Sequence, residues 1–563
     1  MSRCLRPSCI FRPSKPASFA VARRFSTHHS TIESPDLFEY TSGRWIYNDA
    51  LRHRERKRVF NVSALKRLAA QSVRKKEEDV VGFEKLAEGG FNRSFLVTMR
   101  DSSRFVARIP YPITEPSSLV IVSEVATMDF LRSHEIPVPK IYGYSATPDN
   151  PAETEYIFME FVQGTNLGDI WFDLSERQRA KIVTNLVQLE SRLFALRFPA
   201  SGCLYYSSDF TDSSRVILPS QYPTDEARFC IGPDTSLGLW YGKRLNLPVE
   251  RGPYRDCLQA LTAGATKEIA YLSEFGNPRQ PIQRLRRETY DYQPQSHLDY
   301  MATLRQYLQV APSLIPHSTP ALHRPVLRHP DLQPNNIIVS DELEINGLID
   351  WQHTTVLPLF LQCAIPNSLQ NYGDEVSESL QKPTLPSNFH ELEPEEQCHQ
   401  AELFRKRHLH YCYVKTTAEM NPDHYDALSH DYSTLRRRLY HHASDPWEGD
   451  NVTLKSNLIS LSKHWKDVTG RKSSCPLVYP EAEANECVRL AHAQTEADEQ
   501  LKICQELIGV GNEGWVPVDH YEEAKAREQR LKKAALDAAE TAEERMRIEE
   551  NWIFDDFCED EYM

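Results

Sequence analysis

The stretch "LRHPDLQPNNIIV", Leu327 to Val339, puts a histidine, a carboxylate and an amide at positions 329, 331 and 336 and then runs straight into apolar residues. A second apolar run ends in "LIDW", Leu348 to Trp351, and delivers another carboxylate, Asp350. Two acids and an asparagine at neighbouring strand ends suit phosphoryl transfer. A hydroxyl that attacks a terminal phosphate needs a carboxylate within hydrogen-bond reach to orient it, and Asp331 sits in a loop that can present one. Magnesium takes hard oxygen ligands, one or two carboxylates beside phosphate oxygens and water, and Asn336 with Asp350 would supply the protein's share. His329 is better placed to brace the loop by hydrogen bonds than to carry out chemistry.

Other elements must set these residues side by side. "NIIV" and "INGLID" flank the turn "SDELE" and read as a β-hairpin, with Asn336 at the start of one strand and Asp350 at the end of its antiparallel partner. Upstream, "FEKLAEGGFNRSFLVTMRDSSRFVARIPYP" alternates apolar and polar residues in two runs, Ser94 to Met99 and Phe105 to Ile109. Gly89 and Gly90 precede the first run, and the polar turn "RDSS" separates the two. Ile121, Val125, Met128 and Leu131 recur at helical spacing, which predicts an amphipathic helix over 118–133 whose polar face carries Glu124. "EYIFMEFVQGTNL" reads as a buried strand followed by a glycine turn, and 175–198 as a long helix. Residues 36–75 predict a basic strap or short helices. Residues 205–300, with their aromatic and Gly-Pro clusters, give no readable pattern. Past residue 480 heavy charge returns, with Glu523 and Arg527, Glu528 and Lys532, and Glu543 and Arg547 at four-residue spacing. Those pairs support a solvated helix, through which a protein partner could dock.

Composition narrows the function classes. A chain of 563 residues exceeds what one hydrophobic core usually holds, so two lobes with extensions are expected. A formal charge of -14 argues against nucleic acid, whose phosphates require a concentrated basic face, and in favour of a small-molecule partner. The twelve cysteines include no CxxC pair and no Cys/His cluster at zinc spacing, so they read as reduced thiols. No apolar run approaches the roughly 18 residues needed to span a bilayer. The first thirty residues carry six Arg and Lys side chains, many serines and no acid before Glu33. They read as a mitochondrial presequence for the matrix, cleaved before Ser26.

The block "HPDLQPNNIIV" followed by "GLIDW" resembles that of the aminoglycoside phosphotransferase and choline kinase group, within the protein-kinase-like fold. More narrowly, "RHPDLQPNNIIV", "IDWQHTTVLPLFLQC", "SGRWIYND" and "RGPYRD", with the presequence, are similar to the fungal mitochondrial family of altered inheritance of mitochondria protein nine. The resemblance implies an α+β fold: an antiparallel-sheet N-lobe over 79–165 and a mainly helical C-lobe over 166–478. The extensions are then 31–78 and 479–563. It implies ATP and Mg2+ in the cleft, Asp331 as catalytic carboxylate, His329 as loop brace, and Asn336 and Asp350 as magnesium ligands. Gly89 and Gly90 fall where a loop covers the phosphates, and Met159, Glu160 and Phe161 fall where backbone groups hold adenine.

One position departs from that pattern. Where most kinases carry a strand lysine, this chain has Arg108 in "FVARIP", with Glu124 as its expected helix partner. Arginine keeps the charge and can fork onto phosphate or carboxylate, but its bulk and geometry differ. The glycine loop is also thin, with two adjacent glycines and no spaced third. Three functions therefore stand: a Mg-ATP-dependent phosphotransferase acting on a small hydroxylated substrate, a nucleotide-binding pseudokinase with a regulatory or scaffold role in mitochondrial maintenance, and an interaction protein working through its C-terminal helix.

Overall fold

The structure is a computed structural model that describes residues 35–210, 214–219, 228–470 and 474–563. The expected presequence over 1–30 lies outside the described residues. The strap expected over 36–75 is one short strand, β1 (Gly43–Trp45), and two helices, α1 (Asp49–Arg56) and α2 (Val62–Ser72). The N-lobe sheet follows, with β2 (Val80–Glu88), β3 (Asn92–Met99), β4 (Arg104–Pro110), α3 (Ser117–Ser133), β5 (Ile141–Ser145) and β6 (Tyr156–Glu160). Its strands run antiparallel in the order β2-β3-β4-β6-β5.

Alternation explains the middle of this sheet. Phe95, Val97 and Met99 of β3 point inward and pack with Phe105 and with Leu65 and Ala69 of α2, which closes that face. The edge strand β2 escaped the sequence reading because its apolar residues do not alternate inward: Val81 is 57% exposed and Leu86 is 37% exposed. Pairing with β3, rather than an apolar face, makes it a strand. The helix over 118–133 is α3, but Glu124 is not on a solvated face. Val120, Ser123, Glu124 and Thr127 are buried along with the apolar positions, because α3 packs between the sheet and the lower lobe.

After β6 the chain passes β7 (Thr165–Asn166) and α4 (Leu167–Ile170) into α5 (Glu176–Ala195). Ser175 and Gln178 form a reciprocal capping box at the start of α5, each accepting the other's backbone N–H. The unreadable middle contains β8 (Cys203–Tyr206), β9 (Val216–Ile217) and β10 (Phe229–Gly232), paired in the order β8-β10-β9. Strands of two to four residues are too short for a period of two to show. Next come α6 (Cys257–Phe275) and α7 (His297–Leu314), packed through Leu261, Ala265, Leu304 and Tyr307.

The chemistry-bearing segment is β11 (Pro325–Leu327), β12 (Ile337–Val339), β13 (Ile345–Leu348) and β14 (Val356–Pro358). β12 and β13 form the hairpin read from the sequence, β12 also pairs with β7, and β11 pairs with β14. The helix Pro394–Met420 packs along α5.

The two extensions meet. β15 (Trp515–Pro517) pairs with β1, setting Arg44 opposite Val516. The helices Glu481–Ile508, Tyr521–Asp537 and Ala542–Glu550 pack on each other through Ile508, Ala524, Ile548 and Trp552. This corrects the solvated-helix expectation at Glu528. That side chain is buried, accepts the Trp552 indole N–H at 2.7 Å and lies 3.1 Å from Lys525, while Lys532 turns to Asp555 at 2.6 Å. The Glu523–Arg527 and Glu543–Arg547 pairs do form, at 3.7 and 2.7 Å. Among the described residues no helix is long and apolar enough to cross a membrane.

Candidate functional site

The loop between β11 and β12 is held at its start by Arg328. Its guanidinium donates to Glu190 of α5 at 2.8 Å and to the Tyr413 hydroxyl at 3.2 Å, and that hydroxyl donates to Glu190 at 2.5 Å. His329 comes next and ties the loop to the hairpin. Its Nε2–H donates to the Ile349 carbonyl at 2.9 Å, and its Nδ1 accepts the Asp331 backbone N–H at 3.1 Å. The ring stands edge-on to buried Trp351, with 4.5 Å between centroids. Burial pushes the His329 pKa down to about 4, so the imidazole is neutral and both nitrogens have fixed roles.

Asp331 is then presented outward. Its Oδ2 accepts from the amide of Gln333 at 2.5 Å and from that of Asn336 at 3.2 Å, while Asn336 also donates to the Asp331 carbonyl at 2.9 Å. Partial burial, and then the charge of Asp350, raise the Asp331 pKa above the ordinary 3.8, against the pull of those two amides. Asp350 follows β13 in the left-handed region at φ 67, a conformation that Asp tolerates better than bulkier residues. The Ile349 N–H donates to the Asn336 carbonyl at 3.0 Å, so the two strand ends are direct neighbours.

Arg108 reaches this pair from the upper lobe. The register of β4 sets it between Ser94 and Ile157, buried, with one guanidinium nitrogen paired to Glu124 and another 3.5 Å from Asp350. Burial lowers the Arg108 pKa and Asp350 opposes the shift. Among the described residues, Arg108 Nε and Glu124 Oε1 are buried without a hydrogen-bond partner.

Gly89 and Gly90 form the turn between β2 and β3, where the Gly89 N–H donates to the Asn92 carbonyl at 2.9 Å. Neither glycine has a positive φ, and a Cβ at Gly90 would meet nothing within 4 Å. Nothing inside the chain therefore demands glycine there. The turn's stem is anchored below by Glu88 and Arg93, 3.0 Å apart and buried. Glu88 accepts the Thr41 and Ser42 N–H groups at 2.9 Å each, and Arg93 donates to the Leu37 carbonyl at 2.9 Å. Past the turn, the Asn92 amide donates to Gln352 at 2.5 Å and Phe91 packs edge-on to His353. The glycines are thus brought to the segment after Asp350 through Phe91 and Asn92 rather than to Asp331 itself.

At the junction of the lobes, Met159 is buried opposite Val106. Glu160 spends its N–H and its carboxylate on Lys140 and Arg132, so its side chain secures the entry to β5. Phe161 lies under the Arg104 guanidinium at 4.8 Å. Among the described residues, the Val162 N–H just beyond the strand meets no acceptor. Gln333, Asn92 and Gln352 were not singled out from the sequence. Gln352 follows "LIDW" directly, so adjacency to a motif was the available signal.

The phosphotransferase enzyme family model matches residues 82–360, which span β2 to just beyond β14 and include every residue placed in the cleft above. Over those residues the chain is similar to the phosphotransferase enzyme family. The chain is 29% identical over 506 residues to a subtelomeric hrmA-associated cluster protein of Aspergillus fumigatus, covering 84% of this chain and 96% of that one. It is 23% identical over 546 residues to the mitochondrial protein "altered inheritance of mitochondria protein 9" of Yarrowia lipolytica, covering 91% and 90%. Among solved structures, the streptomycin-ATP-APH(2")-IIa ternary complex is similar over 72% of this chain and 97% of that one, at 10% identity and a TM-score of 0.34.

Proposed function

We propose that this protein is a mitochondrial phosphotransferase that moves the terminal phosphoryl group of Mg-ATP onto a hydroxyl of a small acceptor. The observation that carries the reading is Asp331: an outward carboxylate clamped by two side-chain amides, in a loop braced by a neutral histidine, on the turn that also holds Asn336 against Asp350.

The residues present fit nucleotide and metal. Among the described residues no group of three or more His, Cys, Asp or Glu side chains could hold an ion unaided. A metal resting on Asn336 and Asp350 would have to complete its shell with phosphate oxygens and water, which is how magnesium binds in nucleotide sites. Asn336 spends its amide N–H groups on Asp331, and its carbonyl oxygen remains for the cation. The orphaned Arg108 Nε suits a phosphate oxygen, the open space over Gly90 suits a covering loop, and the Val162 N–H suits an adenine edge. Bound magnesium would draw charge from the β- and γ-phosphate oxygens. Asp331 accepts the hydrogen bond of the acceptor hydroxyl and aligns its oxygen on the γ-phosphorus. As that P–O bond forms and the bond to the β,γ-bridging oxygen breaks, Asp331 takes the proton and ADP leaves. Mitochondrial placement draws on the relatives' names and on the arginine-rich, acid-free start, and a native N-terminus near Ser26 in purified mitochondria tests it.

One observation favours the regulatory, nucleotide-binding alternative: Arg108 sets a fixed positive charge beside Asp350 and so competes with a cation there. Asp331→Asn separates the two readings. The phosphotransferase reading expects Mg-ATP binding within a few-fold of wild type and turnover at least about a hundredfold lower. A wild-type protein that binds Mg-ATP but consumes none in a broad metabolite extract would establish the regulatory reading instead. Arg108→Lys should then fail to restore transfer, whereas in a working enzyme it preserves or improves it.

A further inference from the structure

Resting on the phosphotransferase reading, we infer that the acceptor is a sugar-type polyol without positive charge, neutral or singly anionic, bound in the cavity walled by Asn335, the start of α4 and the segment 367–372. The cavity is about 480 Å³, within the range that encloses a small ligand.

Its position ties it to the chemistry. Pro334 and Asn335 form one wall, and they stand between Gln333 and Asn336, the two residues whose amides hold the Asp331 carboxylate. Asn335 is seated by Gly168: a Cβ there would fall 1.8 Å from Asn335 Oδ1, so only glycine lets the amide lie in place. Asn166 secures the same residue by donating to its carbonyl at 2.7 Å.

The lining chemistry selects the class. Among the described residues no Asp or Glu lines the cavity, so a polyamine would bring ammonium groups to a wall without a counter-charge. The wall instead offers amides with opposite free ends. Gln370 uses its oxygen on the Tyr372 N–H at 2.8 Å and keeps its NH2 group, while Asn371 uses its NH2 on Ser377 at 2.9 Å and keeps its oxygen. Adjacent donor and acceptor amides match adjacent hydroxyls, each of which both gives and takes a hydrogen bond. Aromatic rings supply the other half of sugar recognition. Phe172 and Tyr372 line the cavity yet are 69% and 42% exposed, leaving apolar ring surface that the C–H face of a sugar would cover.

Charge at the rim is slightly positive. Arg405 is matched by a two-pronged contact with Glu402 at 2.7 and 2.5 Å, and Lys406 lies 3.9 Å from that same carboxylate. Two cations share one anion. The surplus accommodates one carboxylate on the acceptor and opposes an amine.

The test measures ATP consumption by the full chain with magnesium and a panel of hexoses, pentoses, alditols and their sugar acids, beside kanamycin and a crude metabolite extract. At least one neutral or acidic panel member should stimulate consumption tenfold or more over background, and kanamycin should not. With that compound, Phe172→Ala and Gln370→Ala should each raise its KM about tenfold while leaving the KM for Mg-ATP unchanged, and Lys406→Glu should weaken acidic members selectively. Stimulation by kanamycin, by the extract alone, or by a panel compound whose KM ignores both cavity variants would overturn the inference and leave the phosphotransferase standing. No stimulation by panel or extract would overturn the phosphotransferase reading itself, and this inference with it.

Discussion

Acidification should release the loop that carries Asp331, and His329 sets how much stability goes with it. In the folded protein its Nδ1 accepts the Asp331 N–H, so a proton there would set two donors against each other in a site only 4% exposed. Burial lowers the pKa from 6.5 to about 4, although Asp350 pulls the other way. Between those values the folded state binds fewer protons at this ring than the unfolded chain does. Stability therefore rises with pH across the window, is complete above about pH 6.5, and is lost as pH falls toward 4. A gap of roughly 2.5 units at about 1.4 kcal/mol per unit comes to about 3.5 kcal/mol in full, of which about 3 kcal/mol is lost by pH 4, where the folded-state ring is half protonated. Urea unfolding followed by tryptophan emission at about pH 7 and about pH 4 reads the loss. His329→Gln keeps one donor and one acceptor but cannot titrate, so subtracting its loss cancels groups common to both proteins. Wild type should lose about 3 kcal/mol more than the variant. Equal losses would refute the reasoning, since the imidazole would then titrate alike in both states.

Three further outcomes are expected. Glu268 is fully buried between Arg244, at 2.6 Å, and Lys267, at 2.9 Å, so Glu268→Gln leaves unmatched cations in the core and should cost about 3–5 kcal/mol in thermal unfolding; an unchanged Tm would contradict this. The Asn48 backbone N–H donates to Asp556 at 2.5 Å, and its side chain donates to Glu559 at 2.7 Å and accepts the Phe557 N–H at 2.9 Å, so Asn48→Ala removes the two side-chain bonds and should speed protease cleavage within 552–563 several-fold. The acid limb of kcat/KM should lie above the ordinary carboxylate value because the Asp331 pKa is raised, with activity falling as pH drops through it. Gln333→Ala removes a hydrogen bond that favours the charged form and should move the limb higher still, and a limb that stays put or moves down would assign it to another group.

The site was legible where its signals are local. His329, Asp331, Asn336 and Asp350 lie in one short block, and a hairpin between apolar runs brings the last two together without help from the rest of the chain. Arg108 and Glu124 were readable as residue types, but the burial of Glu124 was not, because a helix packed on both sides shows no polar face to find. Strand β2 turns Val81 and Leu86 toward solvent and so hides its own period. The strands between 203 and 232 are shorter than the pattern that would announce them. Four-residue spacing correctly paired Glu543 with Arg547, yet it could not foresee that Asp555 would draw Lys532 away from Glu528. The cavity beside Asn335 was beyond reach, since its walls come from α4, the turn before β12, residues 367–372 and the helix Pro394–Met420.

The pairing of β1 with β15 sets a timetable for making the protein. Tyr40 accepts the indole N–H of Trp515, 475 residues further along the chain, at 3.0 Å, and Asn48 waits for Asp556 across 508 residues. At roughly 5–20 residues per second, the early strand emerges from the ribosome tens of seconds or more before its partner. The stem of the glycine turn hangs on that early segment, through Leu37, Thr41 and Ser42. A nascent chain that already holds everything from 82 to 360 thus has its cleft residues in hand but not the seam that fixes the loop above them. Chains released early carry an unpaired edge at β1, which gives quality-control proteases a foothold that the finished protein conceals.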